Sequence, residues 1–101
     1  MNIEILKLVN GDDIIADVEK NKEVGVLLKN PARLMMFPSE GGGMGLGLVP
    51  WCPYTDQEDF TIAPINIMVE IEEKDIPEEL RNEYNNKFGS GLVTPSTDII
   101  V

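Results

Sequence analysis

The sequence predicts a mainly β fold, a small barrel built around one bent strand, with an α-helix appended at the C-terminal end. Three observations carry that expectation. Residues 3–9 and 13–19 alternate apolar and polar side chains on either side of Asn10-Gly11, the pattern of two half-buried strands joined by a hairpin turn. Val24 to Phe37 is a long apolar segment broken by Pro31. A proline lacks the ladder donor, so a strand carrying one inside must bend or bulge. Phe60 to Ile71 is a last strand region, interrupted near Pro64.

Taken in order, Ile3 to Val9 is the first strand. Asn10-Gly11 suits a type I′ turn, because both residues accept positive φ. Asp13 to Glu19 is the return strand, with Ile14, Ala16 and Val18 on one face. Ile15 falls on the other face between Asp13 and Asp17, an edge or contact position. Glu19 to Glu23 is a polar turn. After the bent strand, Pro38 to Gly43 is a loop with three consecutive glycines. Met44 to Cys52 is apolar again, with Gly45 and Gly47 on one face, where they allow tight curvature or close backbone approach. Pro53 to Asp59 is a polar loop. Asp75 and Glu78 have capping-box spacing, and Pro77 suits a first helical turn. Leu80, Tyr84 and Phe88 then recur four apart, and Gly89 fits the position after the helix. The division is 1–73 for the barrel, 74–89 for the helix and 90–101 for an extended or flexible tail.

The 101 residues suit one domain with a single core, and a hydrophobic content of 43% is ordinary for a globular chain. Eighteen acidic residues against eight basic ones give a net charge of −10, a field that repels phosphate backbones and attracts cationic partners. No apolar run reaches the roughly 20 residues that span a bilayer, so no membrane partner is expected. The start, Met1-Asn2-Ile3-Glu4, has neither the basic nor the apolar region of a secretory leader. The lone Cys52 permits no internal disulfide and fits a reducing compartment, so a cytoplasmic location is expected.

The chain has no histidine, which removes the commonest general base and zinc ligand. Cys52, between Trp51 and Pro53, has no base to activate it and reads as a buried packing thiol. The glycine-rich run Gly41 to Gly47 lacks the phosphate-binding fingerprints and no helix follows it. Asp56, Glu58 and Asp59, with Asp12 and Asp13, do not match the EF-hand spacing and read as solvated loops. No enzyme activity, metal or cofactor is therefore expected. Lys20, Lys22, Lys29 and Arg33 form the only basic stretch. Trp51 and Tyr54, flanked by prolines, suit a subunit interface or a partner contact. So do Leu80, Tyr84 and Phe88 on the stripe of the helix.

The pattern over residues 3–71 resembles the Sm-like (LSm) family, most closely the small Sm-like proteins encoded by tailed phages of cyanobacteria. The matching parts are Leu6-Lys7-Leu8-Val9-Asn10-Gly11, Ile14-Ile15-Ala16-Asp17-Val18 and Val24-Gly25-Val26-Leu27-Leu28 for the first motif, and Ile62-Ala63-Pro64-Ile65-Asn66-Ile67 for the second. Gly25 stands where the family usually carries an Asn that holds a base, and Ala63-Pro64 stands where its Arg-Gly contacts RNA. Asn66 carries over, at a position that is mostly structural in the family. The family's N-terminal helix is absent, and a C-terminal helix takes its place.

The resemblance implies a strongly bent antiparallel barrel of about five strands, an SH3-like roll with open edges. It also implies a cyclic homo-oligomer of roughly five to seven copies, because open edges invite a neighbouring copy to continue the sheet. The function expected is a non-enzymatic, ring-forming scaffold or adaptor, phage-encoded and acting in the host cytoplasm, with a protein partner whose identity the sequence leaves open. The alternative is an RNA-binding chaperone that grips single-stranded RNA at the pore through Lys20, Lys22, Gly25 and Asn66. The acidic charge disfavours it.

Overall fold

Alternation in the first twenty residues folds into a tight antiparallel pair, β1 (Ile3–Leu8) and β2 (Asp13–Asn21), with Ile5 opposite Ile15 and Lys7 opposite Asp13. The computed structural model describes residues 1–89; the expected tail, 90–101, lies outside them. Beyond β2 come β3 (Gly25–Pro38), β4 (Met44–Pro50), β5 (Asp59–Ile62) and β6 (Ile67–Ile71). The helix α1 spans Glu78–Tyr84 and runs into a wider π-type turn, Asn85–Gly89. All pairings are antiparallel, in the order β4-β3-β2-β1-β6, with β5 also on β3.

The long strand β3 organises the sheet because Pro31 breaks it in two. Its first half, Val26 to Lys29, pairs with β5, and its second half, Ala32 to Pro38, pairs with β4 on the same edge. Asn30, just before the proline, takes φ of 50°. Opposite this bend the β2–β3 register slips between Ile15 and Asp17, a bulge that lets the sheet turn. At the bend the buried Tyr84 hydroxyl lies 3.1 and 3.0 Å from the backbone carbonyl oxygens of Lys29 and Asn30.

How far the sheet curls follows from its connections. On a flat sheet β5 and β6, four strand spacings apart, would be about 19 Å from each other. Only Ala63 to Asn66 separate Ile62 from Ile67, and Pro64–Asn66 is coiled into a 3₁₀ turn. Five fully extended residues reach about 17 Å at most, so the sheet must roll. Ile62 and Ile67 accordingly pack into one cluster with Leu6, Leu8, Ile14, Ala16, Val18, Val26 and Leu28 inside the roll. No ladder joins β5 to β6, so the sheet is curled without being closed.

The outer face of β1 and β2 holds a second cluster of Ile3, Ile5, Ile15, Ala32, Leu48, Ile76 and Tyr84, with Leu80 and Phe88 packed against it. The helix is the lid on this face. Ile15, expected at an edge among acids, is fully buried beneath it; β2 is covered on both sides, and burial of such a side chain contributes about 1.5–3 kcal/mol.

Two local expectations need correction. Only Gly11 takes positive φ (97°) in the first turn, which is a longer loop closed by Leu8 N–H to Asp12 O, so Asn10-Gly11 does not form a type I′ pair. The capping box also fails. Pro77 occupies the N-cap with no side-chain cap bond, and a 3₁₀ turn at Glu73–Asp75 precedes it. Asp75 is spent in that turn, three residues before the helix begins.

Candidate functional site

Two sheet margins lack a neighbour among the described residues: the outer edge of β6, and the edge formed end to end by β4 and β5. They differ in sequence and are joined through the 3₁₀ turn Pro64–Asn66 between β5 and β6. On β6 only Ile67 and Ile71 are half-buried, while Met68 and Val69 stand exposed beside the unpaired backbone. Ile65, in the turn between the two edges, is 83% exposed. The β3–β4 hairpin adds more apolar surface. Beyond the Leu34–Leu48 pair, Met36 faces Leu46 and Pro38 faces Met44, and Met36, Met44 and Leu46 are all exposed. Phe37 lies across the hairpin, its ring covering Gly47. Gly41, Gly42 and Gly43 at the tip all take positive φ.

Of the four residues expected at an RNA-binding pore, Lys20, Gly25 and Asn66 are engaged within the described chain, and Lys22 is not. Lys20 is bonded to Glu70 and lies 3.9 Å from the buried Glu4. These three residues sit on the same face of β2, β6 and β1. The hydrogen bond to Glu70 holds the Lys20 ammonium above its ordinary range. Gly25 takes φ of 119°, and a Cβ there would lie 2.8 Å from the carbonyl oxygen of Ile62. Asn66 acts through its backbone, its N–H donating to Ala63 O and its carbonyl accepting from Val9 N–H. Lys22 projects from the β2–β3 turn with no ion pair among the described residues. The other cations of the basic stretch are engaged apart from one another, Lys29 with Glu19 at 3.2 Å and Arg33 with Asp12 at 3.7 Å.

The aromatic candidates divide. Tyr84 is wholly buried in this chain's own core, stacked on Phe88 at 5.6 Å, and Leu80 packs beside them. Burial pushes the Tyr84 phenol well above its usual range. Tyr54 is 84% exposed, its hydroxyl 3.7 Å from the Cys52 thiol. Cys52 is half-buried in the loop after β4, and so is less enclosed than a core thiol. Trp51 is half-buried, its ring 5.8 Å from Phe60 in a T-shaped pair, with its indole N–H donated to Asp12 at 3.1 Å.

Asp12, read from the sequence as part of a solvated loop, instead makes structural contacts. It accepts from Trp51 and Asn10 and pairs with Arg33, tying the first turn to β3 and to the loop after β4. Its place in an Asn-Gly-Asp turn was the available signal, since such residues bond locally; its partners 21 and 39 positions away left none.

Between that loop and the bend in β3 lies an open cleft of about 600 Å³, lined by Trp51, Phe60 and Phe88 and flanked by Arg33, Asp56 and Glu58. The described residues gather no group of three Asp, Glu or Cys side chains able to hold a metal ion, and no helix among them is long and apolar enough to cross a membrane. No family model and no curated protein matches this chain.

Proposed function

We propose that the protein is a non-enzymatic scaffold or adaptor that assembles into a closed ring, of the Sm-like kind that tailed phages encode. The observation that carries this reading is the pair of unlike open edges on one curled sheet. An edge strand with bare N–H and C=O groups and exposed apolar side chains is a template for another strand. When the two edges of a chain differ, pairing one with the other is a head-to-tail contact, which closes into a ring if the rotation permits. The short 3₁₀ turn between β5 and β6, the bent β3 and the placement of β6 beside β1 also support an Sm-like roll that needs neighbours to complete it. The RNA-binding alternative has less in its favour, since Lys20, Lys29 and Arg33 are each neutralised by a carboxylate.

Light scattering on the purified chain tests the assembly. With protomers of 11.2 kDa, a ring of five to seven copies gives a mass of roughly 56–78 kDa. The double substitution Met68→Lys/Val69→Lys on β6 is expected to reduce that mass to the protomer's while leaving the circular dichroism spectrum unchanged. A parent protein that stays monomeric at micromolar concentration overturns the ring.

A further inference from the structure

The cleft between the bend in β3 and the loop of residues 51–58 combines features that point to one kind of occupant. Its wall is aromatic: Trp51 with Phe60 at 79° to it, and Phe88 at the end of the helical segment. Trp51 is held by its hydrogen bond to Asp12, so its ring is a fixed platform. The flank carries Asp56 and Glu58, both exposed, and neither is in an ion pair among the described residues. The cation that borders the cleft, Arg33, already faces Asp12. Rings attract a cation over their faces, and carboxylates on the flank complete a guanidinium's hydrogen bonds. The volume, about 600 Å³, is that of a ligand pocket, and its open side admits a chain running through it.

We propose that this cleft docks an extended, arginine-bearing segment of a partner protein, with the arginine over Trp51 and its guanidinium bonded to Asp56 and Glu58. The inference deepens the adaptor reading by naming the class of partner and rests on it; one chain supplies the whole cleft, which lies where β4 and β5 meet. Proline-containing segments suit it best, since they arrive already extended and lose little freedom on docking.

Trp51 is the chain's only tryptophan, so its fluorescence reports on the cleft alone. Full-length protein is titrated with three octapeptides of alternating residues: Pro-Arg, Pro-Gln and Pro-Glu. The Pro-Arg peptide is expected to change the emission saturably, with a Kd at least tenfold below those of the other two. Asp56→Asn/Glu58→Gln should weaken it at least tenfold. Glu23→Gln/Glu40→Gln, which removes the same charge elsewhere, should leave it within twofold. The proposal is overturned by an unsaturable response, by equal binding of the Pro-Gln peptide, by equal losses in the two double variants, or by displacement of the peptide by a short oligouridylate. A monomer that still binds the Pro-Arg peptide removes only the ring; a ring that ignores it removes only the cleft.

Discussion

At Gly25 a side chain would run into the backbone carbonyl of Ile62 at 2.8 Å, on a backbone already at φ of 119°. At Gly47 the obstacle is the Phe37 ring, with Cε2 at 2.6 Å, and that ring is partly exposed and free to swing away. Gly25→Ala should therefore cost about 2–3 kcal/mol, whereas Gly47→Ala should stay within about 0.5 kcal/mol of the parent, because reduced chain entropy offsets the displaced ring. Urea denaturation of the two variants checks the contrast. Tyr84 gives a second prediction. Its buried hydroxyl bonds to the backbone carbonyls of Lys29 and Asn30 at the bend, so Tyr84→Phe should cost about 1–2 kcal/mol. The phenol's pKa is raised in the folded state, so its contribution is complete below the unfolded value near 10 and declines as pH rises above it. Stability curves from pH 8 to 11 should fall less steeply for Tyr84→Phe than for the parent.

Elements with a strong local signature were legible in the sequence, and those set by distant neighbours were not. Pro31 marked the bend in β3, and Pro64 the break between β5 and β6, because a missing N–H acts wherever the residue sits. The two faces of β2 were less legible, since the acids flanking Ile15 gave no sign that a helix sixty residues later would cover it. The helix stripe was visible as Leu80, Tyr84 and Phe88, but the surface on which it docks lies within this same chain. Alternate glycines flagged close approach in β4 without showing that Phe37 makes it. The β3–β4 hairpin permits an element-scale test. Its outer half lies beyond the core, so joining Met36 to Leu46 through Asn-Gly, a two-residue type I′ loop, should leave the melting temperature within a few degrees. A large loss of stability in calorimetry would show that the arm holds up the core.

For the molecule as a whole, charge sets the terms. A net charge of −10 on 101 residues opposes compaction through self-repulsion. The ion pairs are mostly exposed and contribute little each: Lys7–Asp13 at 2.7 Å, for example, has both side chains over 40% exposed. Salt therefore screens more repulsion than attraction, since the Debye length shrinks from about 14 Å at 0.05 M to about 4 Å at 0.5 M. Raising sodium chloride over that range should raise the melting temperature by several degrees. A fall would mean that the few attractive pairs outweigh the field.

The partnership of Ile5 with Ile71 also sets a timetable for folding. β1 is made before both its partners, and β2 can zip onto it at once, yet its second flank stays vacant until Ile71, 66 residues after Ile5, has been made. Pairings so remote in sequence form slowly, and a vacant apolar flank is where newly made chains misassemble. The sixth strand thus governs how long the nascent protein is vulnerable, and substitutions that slow its arrival should appear as lost yield before they appear as lost stability.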